Sequence, residues 1–108
     1  MKSKRTKACE ITPKVREIVE KRDSIDGKPC CIFCGSPNAR GEAHIVRRSQ
    51  GGLGIETNLL TTCRYCHRQF DEGKDKELYM HRAIAYMKEH YPDWDINNQV
   101  YRKGMEYE

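Results

Sequence analysis

The chain has 108 residues, 37% hydrophobic and 33% charged, with two Phe and one Trp, which is room for one small domain. A domain this size buries only about two-thirds of the surface its unfolded chain exposes, so so thin a core calls for a metal or disulfide staple. No stretch approaches the roughly 18–20 apolar residues of a bilayer span, and the basic N-terminus lacks the apolar segment of a secretory signal. Membrane and secreted classes are therefore excluded as expectations, and a cytoplasmic protein is expected. Twenty Lys and Arg against sixteen Asp and Glu leave a net charge of +4, a mild excess compatible with a polyanionic partner.

Residues 1–11 read as a basic flexible arm, carrying four positive charges within residues 2–7. Thr12 and Pro13 then form a helix start, a capping hydroxyl followed by a proline where its missing N–H is not needed. Val15, Ile18 and Val19 share one face of that helix, which Asp26-Gly27 and Lys28-Pro29 end in a turn. Residues 43–46 predict a short strand, residues 49–54 a glycine-rich loop, and residues 59–62 a second strand. A short helix is expected to run on to about Gly73. Met80, Ala83, Ile84, Met87 and Tyr91 recur at helical spacing and predict an amphipathic helix stopped before Pro92, followed by a tail over residues 93–108.

Four of the six cysteines form two identical spacings, Cys31-x-x-Cys34 and Cys63-x-x-Cys66. Each pair makes a tight turn that aims two sulfurs at one point, the pattern of a tetrahedral four-thiolate structural zinc site. Disulfide or redox use of the same residues is the competing reading, disfavoured in a reducing compartment. Cys9 and Cys30 fall outside the matching spacings and read as bystanders. Residues 35–62 are a longer interval than a simple zinc ribbon carries, so a substantial element is inserted between the pairs. In and beside that insertion stand His44, Asn58 and His67. On the helix after the second pair, His67 and Asp71 lie four residues apart, on one face, an imidazole and a carboxylate suited to a divalent cation.

The segments AHIVRRSQGG, ETNLLTTC and RYCHRQFD, framed by the two cysteine pairs, resemble the HNH endonucleases, and most of all the small HNH proteins of phages and prophages. The resemblance covers about residues 12–92. It implies a small zinc-stabilised α+β domain with a ββα-metal (His-Me finger) core and flanking N- and C-terminal helices. It further implies metal-dependent hydrolysis of phosphodiester bonds in double-stranded DNA. His44 would then be the general base, and Asn58 would orient the hairpin or the His44 ring. His67 and Asp71 would hold one catalytic cation, Mg, Mn, Ni or Zn, and Arg47 and Arg48 would clamp phosphate oxygens.

The sequence departs from the family pattern where a His or Asp often precedes the general base as an added metal ligand. That slot here is Ala43, with Glu42 two positions from His44 on the same strand face. The phage resemblance suggests a packaging-associated enzyme beside a terminase, or a freestanding nicking nuclease in a bacterial host cell. Two other readings compete: a non-catalytic zinc-stabilised DNA-binding or adaptor module, and a protein-interaction zinc finger using the Met80 helix.

Overall fold

In the computed structural model, which describes residues 2–104, local sequence signals set most of the element boundaries. Helix α2, Pro13–Arg22, starts where expected, with the Thr12 hydroxyl accepting from the Val15 N–H at 3.2 Å. A small hairpin follows, β1 Ser24–Ile25 paired with β2 Lys28–Pro29, turned by Asp26 and Gly27 at φ of 52° and 80°. Two successive positive φ values are what a two-residue hairpin of matching twist requires, and Asp-Gly supplies them at little strain.

The principal unit is antiparallel β3, Ala39–His44, and β4, Leu59–Cys63, leading directly into α3, Arg64–Glu72. This is the ββα arrangement expected of the chain. Strand β3 lies earlier than the predicted 43–46. Residues 39–40 already pair with Cys63 and Thr62, a bulge follows between Arg40 and Ala43, and beyond His44 the ladder is replaced by bonds to Asn58. Strand β4 and the end of α3 at Gly73 fall where the sequence put them. Helix α4, Lys76–His90, ends before Pro92 and packs Ala83 and Met87 against Ala43, Ile45, Leu60, Phe70 and Trp94, which together form the core.

Both ends of the chain depart from the expected arm and tail. Residues Lys4–Cys9 form a helix, α1, capped by the Ser3 hydroxyl, and it buries Ala8 and Cys9 instead of leaving a free basic arm. Its anchors are the glycine-rich loop: the Gly54 N–H donates to Ala8 O at 2.9 Å and Arg5 donates to Ser49 O at 3.1 Å. After α4, Trp94 is buried and donates to Thr57 O at 2.6 Å, while Gln99 is buried against Leu53 and Thr57. Val100 pairs with Gly52. The glycine-rich loop is thus held from both sides by segments that carry no apolar period. Residues 105–108 of the expected tail lie outside the described residues.

A buried polar cluster ties α2 to the sheet and to α4. The Asp23 carboxylate, fully buried, accepts from Arg22, from Tyr86 Oη at 2.6 Å and from the Thr61 N–H at 2.9 Å. Arg22 in turn donates to Glu56 O and Leu59 O, both at 2.7 Å. Burial, followed by the bond to Asp23, pushes the Tyr86 phenol well above its usual range.

Candidate active site and metal centre

The sulfur atoms of Cys31, Cys34, Cys63 and Cys66 all lie within 4.8 Å of one another, with Cys34 Sγ and Cys63 Sγ 3.6 Å apart. A tetrahedral ion with metal–sulfur bonds of about 2.3 Å separates its ligands by roughly 3.8 Å, so the quartet fits a four-thiolate centre. The sulfurs stand well beyond the roughly 2.05 Å of a disulfide, and all six cysteines are free. Burial, and then bonds to the neighbouring thiols, push the Cys66 thiol far up, whereas at Cys31 burial is outweighed by hydrogen bonds from the surrounding backbone and the thiol is held below its usual range. Cys63 Sγ also accepts from the Cys66 N–H at 3.4 Å and so caps α3. Cys30, buried, donates to Lys28 O and stands outside the quartet, as the spacing predicted.

A separate open cleft is lined by His44 from the end of β3, His67 and Asp71 from α3, and Arg47 and Arg48 from the loop. His67 Nε2 and Asp71 Oδ2 are 3.3 Å apart, the i and i+4 pairing the helix dictates. His44 is half-buried, with Nε2 3.1 Å from the carbonyl oxygen of Cys9. Burial holds its imidazole below the usual 6.5. The carbonyl opposes that, while Arg48 and His67 add to it, so the ring is neutral at pH 7. Arg47 donates to the Asp71 carbonyl, tying the loop to α3, and Arg48 stays exposed over the cleft.

Asn58 does not join them in the cleft. It is fully buried, with Oδ1 accepting from the Val46 N–H at 2.9 Å and Nδ2 donating to Leu53 O at 2.8 Å and Val46 O at 3.2 Å. These bonds tie the two ends of the loop between β3 and β4 together, and the His44 ring bonds elsewhere. Ala43 is fully buried in the core, on the strand face opposite His44, so the slot that often carries an added ligand points away from the cleft. Among the described residues, no third His, Cys or carboxylate joins His67 and Asp71 as a ready donor set.

Glu42 lines the cleft on the face the sequence assigned it, but its pairing with Arg16 escaped the sequence reading. Its Oε1 lies 3.5 Å from Arg16 Nε of α2, a buried nitrogen without a hydrogen bond. Nothing local in the sequence pairs these two, because the contact depends on how α2 packs on β3. The chain's own pattern agrees with an external comparison. A family model described as HNH endonuclease matches residues 31–83, a span that holds both cysteine pairs and every cleft residue from His44 to Asp71. No curated protein and no solved structure matches the chain.

Proposed function

We propose that this chain, whose residues 31–83 belong to the HNH endonuclease family, is a metal-dependent endonuclease that hydrolyses phosphodiester bonds in double-stranded DNA. The observation that carries this reading is the shared cleft: a neutral, half-buried imidazole facing an imidazole–carboxylate pair, with guanidinium groups along the rim. His44 acts as general base, taking a proton from the attacking water. His67 and Asp71 hold a divalent cation of the Mg, Mn, Ni or Zn type; when bound, it supplies Lewis-acid relief of charge on the phosphate and the leaving 3′ oxygen. Arg48 and Arg47 hold phosphate oxygens, and Asn58 keeps the loop that carries them in place. The cysteine quartet holds a structural zinc, separate from the chemistry.

The test is supercoiled plasmid incubated with wild type and His44→Ala across several divalent metals. Loss of a general base lowers the rate by about 100- to 10,000-fold, so wild type nicks and the variant does not, at unchanged zinc content. Equal nicking by both sinks the assignment of His44.

The two-ligand pair and the core-facing Ala43 favour one alternative, a non-catalytic zinc-stabilised DNA-binding or adaptor module. DNA binding without cleavage by wild type at every metal decides for it.

A further inference from the structure

The His44 ring is held by backbone that lies far from it in sequence. Its Nε2 sits 3.1 Å from the Cys9 carbonyl oxygen, and a carbonyl oxygen only accepts, which assigns the ring proton to Nε2. That carbonyl is itself fixed. Cys9 is buried, the preceding Ala8 carbonyl accepts from the Gly54 N–H at 2.9 Å, and Arg5 reaches Ser49 O at 3.1 Å. The fit is close enough to demand glycine: a Cβ on Gly54 would lie 1.9 Å from Glu10 O and 3.0 Å from Cys9 O.

Resting on the endonuclease reading, we propose that the N-terminal segment is a positioning element of the active site. The Cys9 carbonyl, docked through α1 on Gly54, accepts the Nε2 proton of His44 and so reserves Nδ1 as the atom that receives the proton of water. Atoms and electrons balance in the step, with the O3′ charge offset by the cation that His67 and Asp71 would hold until O3′ takes a proton from solvent. The water O–H bond breaks and its proton binds Nδ1, the oxygen pair attacks phosphorus, and the P–O3′ bond breaks with its electrons on O3′. The positive imidazolium formed keeps its Nε2–H on the carbonyl, whose dipole stabilises that charge. A ring free to rotate or change tautomer spends part of its time with Nδ1 protonated and unable to act.

Three variants of the full, metal-loaded chain separate this role from a structural one. Gly54→Ala drives the Cys9–Glu10 backbone off its seat, Arg5→Ala loosens α1 without a clash, and Cys9→Ala keeps the carbonyl while removing the thiol. Ring-nitrogen NMR of His44 is expected to show a single Nε2–H tautomer in wild type and in Cys9→Ala. Mixed tautomers are expected in Gly54→Ala, and a smaller change in the same direction in Arg5→Ala. In nicking assays kcat falls about 10- to 100-fold in Gly54→Ala with KM unchanged, a size typical of a displaced catalytic group. Should Gly54→Ala fail to fold, seen as lost zinc, Arg5→Ala carries the test alone. An Nδ1–H tautomer in wild type overturns the proposal, as does a retained tautomer with full kcat in the folded loosening variants, or a tautomer change in Cys9→Ala. A wild type that cuts nothing overturns the endonuclease reading instead, and the NMR result then judges the contact independently.

Discussion

The proposed base, His44, would need to be neutral to accept a proton, and its position favours that form. Burial disfavours the imidazolium, and Arg48 and His67 add to that. Because the folded value lies below the usual 6.5, the neutral form persists to more acid pH than in a free imidazole. The acid limb of the nicking rate is therefore expected to be centred below pH 6.5. A profile of kcat at saturating metal whose acid limb is centred above pH 6.5 would contradict this sign. At the same scale, Ala43 shows what a family pattern alone misses. It occupies a usual ligand position, yet its side chain is fully buried in the core. A carboxylate placed there meets Leu60 and Phe70 before it meets a cation, so the two-ligand pair is a property of the strand's facing as much as of the residue.

Among the elements, those whose evidence is local were legible in the sequence. The cysteine turns, the i,i+4 pair on α3, the capped start of α2 and the apolar stripe of α4 each show within a few residues. Helix α1 did not, because KRTKAC is too short to show a period and docks through its backbone on Gly54. The Asp23 cluster did not either, since its partners are Thr61 and Tyr86, brought near only by the finished fold. That cluster makes a clear prediction. With Asp23 fully buried and Arg22 nearly so, Asp23→Asn leaves a buried guanidinium without its counter-charge. Breaking such a pair costs about 3–5 kcal/mol. Denaturant unfolding of the metal-loaded variant measures it, and a loss under about 1 kcal/mol would mean that the pair contributes little beyond its neutral hydrogen bonds.

For the molecule as a whole, the cysteine quartet joins two parts of the chain that lie far apart in sequence. Cys31 and Cys34 come from the turn before β3, whereas Cys63 and Cys66 span the junction of β4 and α3. Protein contacts also cross that gap: Ile32 N–H to Thr61 O at 3.0 Å, Arg82 to Phe33 O at 2.8 Å, and the Phe33 ring against Phe70 and Tyr79. A structural zinc contributes on the order of 10 kcal/mol, comparable with the whole stability of a domain this size, roughly 5–15 kcal/mol. Strong chelation is therefore expected to unfold the chain, removing its helical circular dichroism along with any activity, and zinc is expected to restore both. Cys63→Ser should do the same, because it removes a ligand and the α3 cap together. Cys30→Ser, outside the quartet, should keep one zinc per chain and its fold. Cys63→Ser with unchanged metal content and unfolding temperature would show that the quartet is four neighbouring thiols and that the thin core stands without a staple.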